Sequence, residues 1–521
     1  MNDLEGFDEP IDLEPYEERE LSSKEVVEEV MNQDHSESLK KIMGSMHMVQ
    51  DDDLDDELGE DDDLDLEVEY AYPSPSEVEA LYAQIERKIL SRMPEHKVQP
   101  SLERVSLAMN VLGDPQKLYR SVHITGTNGK TSTARMISTL LQASGRKVGR
   151  FTSPHLHTMR ERISVNDEPL SEAEFVAAYE DVAPYLDIVD QHSKLEDGPS
   201  MSFFEVLTVV MLAAFADIPV DAAVIEVGMG GKWDATNVVD ADVAVIAPIA
   251  HDHEKWLGSS LVEIATEKAG IIKPGAIVIC APQQPEVMEI IRARADEVGA
   301  QLRVVGEELQ LVSRQLAVGG QVISIQTPAA RYEDIYLPLF GEHQAENAVL
   351  ALGAFEAFNG GRELEGDLVE EGFRMATSPG RLEVVRTSPS IVVDAAHNPH
   401  GARALATALT ESFDYTNIAA VYSAMEDKNV EATLAELEPV VEDIVITSMD
   451  SVRAMKVEDI AEIARDVFGE DRVFVERSLL DAVDRAVERS EMNNDPSGSN
   501  GVVITGSVVL AGAARELIKQ K

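Results

Sequence analysis

The stretch Val122-His-Ile-Thr-Gly-Thr-Asn-Gly-Lys-Thr-Ser-Thr133 constrains this chain more than any other. An apolar strand runs into a turn carrying Gly126 and Gly129. Lys130, Thr131 and Ser132 come next, and then helical spacing from Ala134 to Ala143. That order builds a cradle for a polyphosphate. The glycines let backbone N–H groups turn inward, the helix N-terminus adds partial positive charge, and Lys130 supplies a full one. A hydroxyl directly after the lysine can reach a Mg2+ held by the phosphates. Only Thr127 and Asn128 separate the two glycines, so the pattern is shorter than G-x-x-x-x-G-K-[ST]. The bland alternative is a glycine-rich strand-to-helix turn, and the strand–turn–helix context favours nucleotide phosphate over it.

The 521 residues, 44% of them hydrophobic, can build two or three domains. A single cysteine, Cys280, excludes an internal disulfide framework and reads as a small core residue in a reducing compartment. The chain starts Met-Asn-Asp-Leu-Glu, without a basic apolar leader, and no uncharged apolar run approaches a membrane span. A soluble, cytoplasmic protein is expected.

The formal charge of -52 is uneven, with 27 Asp and Glu against 4 Lys and Arg in residues 1–70. Few apolar groups there can offset ordering entropy, so residues 1–72 are expected to be an acidic disordered tail without chemistry of its own. A partner-binding arm, with a nascent helix over Ser22 to Leu39, is the sharper alternative. Such acidity repels a phosphate backbone. Neither nucleic acid nor membrane is expected as a partner, and a monomer is.

From residue 73 the pattern predicts helices over 77–93 and 101–112. Strands follow at Lys147-Phe151, Ala222-Val227, Val243-Ile249, Ala276-Cys280 and Leu302-Val305, with helices near 131–143, 171–186, 202–217, 260–269 and 284–298. Apolar runs alternating with helices argue for a doubly wound parallel sheet. A break falls at Thr377-Ser-Pro-Gly-Arg381. A second series then opens at Ile391-Val-Val-Asp394 and continues through Ile418-Tyr422, Asp443-Thr447, Arg472-Val475 and Val502-Thr505. The expected α/β architecture is a P-loop nucleotide domain over 73–378 and a smaller Rossmann-like domain over 379–521, with a ligand cleft between them.

Glu226 lies at the end of a buried strand before the glycine turn of Ile225-Glu-Val-Gly-Met-Gly-Gly231, on the edge where open α/β sheets hold ligands. A carboxylate there suits a phosphate-bound Mg2+, although a lone strand-end Glu is more often a capped surface residue. His251, Asp252 and His253 crowd another strand exit, where an imidazole can stand beside Glu226 or merely face solvent. Lys268 ends a helix, and chemistry alone reads it as complementing the helix dipole.

Ten motifs decide these cases. They are Gly-Thr-Asn-Gly-Lys (126–130), Thr-Ser-Pro-His-Leu (152–156), Phe-Phe-Glu (203–205), Glu-Val-Gly-Met-Gly-Gly (226–231), Asp-Ala-Thr-Asn (234–237), Asp-His with Trp-Leu-Gly (252–258), Glu-Lys-Ala-Gly-Ile (267–271), Gly-Glu-His-Gln-Ala-Glu-Asn (341–347), Pro-Gly-Arg (379–381) and Asp-Ala-Ala-His-Asn-Pro (394–399). In that order the chain resembles the dihydrofolate synthase/folylpolyglutamate synthase family of the Mur ligase superfamily, over roughly residues 75–521. The resemblance implies ATP bound by Gly126, Thr127, Asn128, Gly129, Lys130, Thr131, Ser132, Asn347, Arg381 and Asp394. It implies two Mg2+ sites with ligands Ser153, Glu226, His253 and Lys268, the last carbamylated. Phe203, Phe204, Glu205, Trp233, Asp234 and Ala235 would meet the pterin-bearing substrate. His397 and Ser507 would lie on the glutamate side, with Lys130, Lys268 and His397 as the catalytic groups.

Lys232 stands where Arg is common in the family, so a bidentate contact there becomes a point charge. His251, Glu254 and Lys255 also depart from the pattern, and His251 reads as structural or as orienting a neighbour. The implied reaction joins L-glutamate to dihydropteroate, to folates or to both, through an acyl phosphate. Two rivals are a cell-wall ligase acting on a UDP-sugar peptide and a silent ATP-binding scaffold. The first lacks room for a nucleotide-sugar domain before Gly126. Against the second stand the intact Lys130, Glu226, His253, Lys268 and Asp394.

Overall fold

The computed structural model describes residues 73–94, 101–492 and 499–519. The expected tail and the Ser22–Leu39 helix lie outside the described residues. The first sheet comprises β1 (Arg120–Thr125), β2 (Val148–Phe151), β3 (Ile163–Val165), β4 (Glu168–Pro169), β5 (Ala222–Glu226), β6 (Val243–Ile246), β7 (Ile277–Cys280) and β8 (Gln301–Val304). Its order is β4-β3-β2-β5-β1-β6-β7-β8. The run from β2 to β8 is parallel, and β3 and β4 add an antiparallel edge. In β1, Val122 and Ile124 are fully buried, as parallel strands covered on both faces require.

β1 therefore sits between β5 and β6, and the ends of all three open on one edge. Ile124 pairs with Glu226 and Thr125 with Ile246. β6 stops before the expected Ile249 because Pro248 has no N–H to continue the ladder. The chain then leaves toward His253. Helix Lys130–Ala143 follows β1, and the nearly all-buried helix Glu342–Phe358 packs on it and on β6 and β7.

A three-stranded antiparallel sheet, β11 (Arg331–Leu337), β10 (Gly320–Gln326) and β9 (Gln310–Ala317) in that order, was not expected from sequence. Nor were helices Glu342–Phe358 and Gly366–Arg374.

The second large sheet has the order β12 (Glu383–Thr387), β13 (Ser390–Val393), β17 (Asn500–Thr505), β14 (Asn417–Tyr422), β15 (Asp443–Ile446), β16 (Val473–Val475). It is parallel except for β12. Two apolar cores cover its faces, one under helices Pro399–Ser412, Val430–Leu437 and Val457–Phe468. The other lies under Leu479–Ser490 and Val508–Lys519. The protein is thus an α/β molecule with two parallel-sheet domains.

Residues Asp187–Ser200 fall outside the main compact unit, and within them Ser193 Oγ donates to the Pro199 carbonyl at 2.7 Å. Among the described residues no helix is long and apolar enough to cross a membrane.

Candidate active site

The carboxyl edges of both large sheets face one cleft of about 1010 Å³. Its walls include the loop Gly126–Ser132, Glu226, Lys268 and Asn347 from the first sheet's side, with Arg381, Asp394, His397 and Ser507 from the second's. Of the residues expected at the site, only Phe203 does not line it. Its ring is buried under the Arg162 guanidinium, 5.0 Å away, while Phe204 takes the cleft position.

The loop needs its glycines. A Cβ on Gly126, at φ 148°, would stand 2.7 Å from Ala247 Cβ, and one on Gly129, at φ 84°, would stand 2.5 Å from Asn347 Oδ1. Lys130 Nζ donates to the carbonyls of Gly126 and Thr127, each at 3.1 Å. Lys268 Nζ donates to the same Gly126 oxygen at 2.8 Å. Two lysine amines thus share one carbonyl, and the charges of Glu226, Asp252 and Arg381 all act on Lys130. Burial, and then the neighbouring Lys130, lower the Lys268 pKa to about 7, and burial lowers that of Lys130. In a chain of charge -52 these basic groups, set against the carboxylates of Glu226 and Asp252, mark a place where an anion can be received.

Thr131 Oγ1 donates to both Glu226 oxygens at 3.0 Å, and the Ser153 N–H donates to Oε2 at 3.2 Å. Glu226 is buried and its pKa is raised by that burial, with Lys130 pulling the other way. His253 occupies the left-handed region at φ 52°, an uncommon conformation for a residue with a side chain. Burial lowers its pKa to about 3, so its ring is a neutral donor atom set. Among the described residues no three His, Cys, Asp or Glu side chains gather as a metal cage. One carboxylate, one imidazole and two hydroxyls remain, and that set fits Mg2+, which takes few protein ligands and fills its octahedron with phosphate oxygens and water.

Further polar chains tie this region together. Asn347 donates to Gln344 at 3.2 Å, Gln344 to Ser132 at 3.3 Å, and Ser132 shares a hydrogen bond with Ser378 at 2.8 Å. The Gly126–Ser132 loop is thereby linked to the segment leading into the second sheet. Asp394 accepts from the Leu382 and Ala396 N–H groups, both at 2.7 Å, and so shapes the turn that presents Arg381.

Lys428, Asn398 and His400 help bridge the two sheets and were given no role from the sequence. Asp252 accepts from Lys428 Nζ at 2.6 Å and Asn398 Nδ2 at 3.2 Å, and His397 Nε2 lies 3.4 Å away. Burial disfavours the Asp252 charge, yet His397, His253 and Lys428 hold the group well below the usual carboxylate range. Asn128 and Asn398 exchange amide hydrogen bonds at 3.2 and 3.1 Å, and His400 Nδ1 stands 2.9 Å from Asn128 Nδ2. His397 faces acceptors with both nitrogens, since Nδ1 is 2.9 Å from the Ala395 carbonyl. The ring is tethered at both nitrogens, which suits an orienting role. Asn398 was findable: Asn-Pro marks a helix cap, and Asn398 does cap helix Pro399–Ser412.

The aromatic residues Phe204, Trp233 and Trp256 line the cleft. Gly228 makes room for Phe204, whose ring a Cβ there would meet at 2.5 Å. Glu205 lines the cleft too, but its carboxylate binds Arg104 at 2.9 Å and the Ser202 N–H at 2.7 Å. Asp234 is buried, accepts from the Met229 N–H at 2.8 Å, and has its pKa raised to about 6 by burial. Ala235 lines the wall beside it, and Ser507 Oγ accepts from the Val509 N–H at 3.2 Å on the opposite side.

Both sheets lie in segments that resemble known proteins. The model of the Mur ligase middle domain matches residues 196–355, and that of the Mur ligase glutamate ligase domain matches 380–508. A dihydrofolate synthase/folylpolyglutamate synthase from Mycobacterium tuberculosis is 48% identical over 464 residues, covering 85% of this chain and 95% of the relative. The Escherichia coli protein of the same name is 32% identical over 373 residues, covering 72% and 83%. Among solved structures, the M. tuberculosis folylpolyglutamate synthase with ADP and AMPPCP superposes with a TM-score of 0.81, covering 85% of this chain and 99% of that one. E. coli FolC with DHPP and ADP does so with 0.72 at 29% identity, covering 84% and 98%.

Proposed function

The chain belongs to the dihydrofolate synthase/folylpolyglutamate synthase family of Mur ligases, and from that premise we propose how its residues perform an ATP-dependent ligation of L-glutamate to pteroate or folate acids. The observation that carries the reading is the meeting of Lys130 and the Arg381 charge beside the buried Glu226. That is a polyphosphate receptor with a metal-binding carboxylate at its side.

A carboxylate is a poor electrophile, so it is first activated. An oxygen of the pteroate or folate carboxylate attacks the ATP γ-phosphorus, the bond to the β-phosphate oxygen breaks, and ADP leaves. The amine of L-glutamate then attacks the acyl carbon, the carbon–oxygen bond to phosphate breaks, and the amine loses a proton. Lys130 and Arg381 neutralise charge that grows on the transferring group, and the loop N–H groups align it. Glu226, Ser153, Thr131 and His253 would hold Mg2+, which supplies Lewis-acid polarisation of the phosphoryl oxygens. Lys268, neutral in large part at its lowered pKa, is suited to carbamylation, and the product would be an anionic ligand for a second Mg2+.

We assign the flat pterin end of the acid to Phe204, Trp233, Asp234 and Ala235. L-glutamate goes to the second sheet's edge, where His397 and Ser507 orient it. Residues 73–378 then act as the ATP-binding domain and 379–521 as the glutamate-binding domain. Residues 1–72 take no part in turnover, and the enzyme is a cytoplasmic monomer.

Magnesium-dependent release of ADP, measured with each acceptor omitted in turn, tests the reaction. Release requiring both a pteroate or folate acid and L-glutamate supports it. Release with neither, or only with a UDP-sugar peptide, rejects it.

A further inference from the structure

His123 lies in the middle of β1, fully buried between the apolar Val122 and Ile124. Its Nε2 is 2.8 Å from Thr236 Oγ1, while its Nδ1 is buried and has no hydrogen-bond partner. An imidazole is a costly choice for such a position. An aliphatic side chain would fill the strand without an orphaned nitrogen. The one bond the ring does make must therefore matter.

Thr236 passes that bond on. Its hydroxyl donates to Asp234 Oδ1 at 2.5 Å, and its N–H donates to the same oxygen at 3.0 Å. Because the hydroxyl proton is committed to the carboxylate, Thr236 Oγ1 accepts from His123, which fixes the ring as the Nε2–H tautomer. The other carboxylate oxygen accepts from the Met229 N–H. Asp234 is thus held at both oxygens, and it lines the cleft beside Trp233 and Phe204. A fixed acceptor beside aromatic rings fits the N–H edge of a flat heteroaromatic ring. Charged neighbours are Lys273 toward His123, and Lys268 in the field of Asp234. Burial lowers the His123 pKa to about 3, so the relay starts from a neutral donor.

We propose that His123 is a positioning residue for the acid substrate: through Thr236 it holds the Asp234 carboxylate in the orientation that accepts the substrate ring's N–H groups. This rests on the reading above that Asp234 faces the pterin end of the acid. Neither Thr236 nor His123 lines the cleft, and the relay gives both a task there.

The test uses the full chain and steady-state kinetics with dihydropteroate or tetrahydrofolate as the acid. His123→Leu should raise the acid KM at least about fivefold, with the ATP KM held within about twofold, as expected for one lost orienting bond. His123→Gln, which keeps an N–H donor, should stay within about twofold of the parent on both. Thr236→Val keeps the volume and removes the relay hydroxyl, so it should reproduce the His123→Leu result even if that variant folds poorly. Combining the two should add nothing further. Unchanged acid KM in Thr236→Val, or losses falling equally on acid and ATP, overturns the relay. Asp234→Asn separates the premise: an unchanged acid KM there rejects the placement of Asp234 against the acid, whatever the His123 variants do.

Discussion

Asp252 and Lys428 meet at 2.6 Å, joining the loop after β6 to the loop after β14 through a pair whose side chains are each 9% exposed. His397 and Asn398 complete the same cluster. One carboxylate thus holds three groups of the second sheet's domain while its chain neighbour, His253, lines the same cleft.

Removing one partner of such a pair leaves an uncompensated buried charge, at a cost of about 3–5 kcal/mol. Lys428→Met and Asp252→Asn should each lower kcat/KM for L-glutamate strongly. The double variant should lose less than the sum of the singles, with coupling of at least about 1 kcal/mol in a double-mutant cycle. Additive losses would mean that the two side chains act separately.

Glu226→Gln keeps an acceptor for Thr131 but removes the charge a divalent cation needs. Turnover should fall by about 10²–10³-fold, the usual scale for one electrostatic contact in a transition state. Thermal unfolding should change little, because a buried carboxylate with a raised pKa gives way to a neutral isostere. Chelation of Mg2+ should abolish ADP release in the parent and have little left to remove in the variant.

Lys268→Ala should cripple turnover while nucleotide binding, measured by calorimetry with ADP, persists. Short carboxylic acids should restore part of the activity. The pH dependence has a definite sign. Carbamate forms when a neutral amine attacks CO2 and loses a proton, and the Lys268 pKa, lowered to about 7, makes the neutral form dominant above that pH. At a fixed concentration of dissolved CO2, activation should therefore be faster at pH 8 than at pH 6. Full activity in Lys268→Ala removes the second metal site.

Burial raises the Asp234 pKa to about 6. A carboxyl with a raised pKa is protonated below that value and loses acceptor capacity. The acid substrate's KM should climb as pH falls through 6, with the ATP KM flat over the same range. Parallel changes in both would place the titrating group elsewhere.

What could be read in the sequence follows the range of the forces involved. The Gly126–Lys130 turn and the apolar runs of β1, β5 and β6 are local patterns, and they appear within a few residues of their expected places. β9 was not legible because it is largely exposed and its residues do not alternate cleanly. Helix Glu342–Phe358 is apolar around most of its circumference, so no amphipathic stripe marks it. Asp252 and Lys428 are 176 residues apart, and their pairing depends on how two sheets present their edges. The Asp252 loop was noticed, but nothing local says which cation it meets. Phe203 and Phe204 are adjacent and alike in chemistry, and only the helix face decides which ring reaches the cleft.

Oxygen transfer from the acid to phosphate tests the ligation chemistry most directly. With the pteroate or folate carboxylate labelled with 18O, passage through an acyl phosphate delivers one labelled oxygen to the released phosphate. Unlabelled phosphate, formed at the same rate as the amide product, would contradict it.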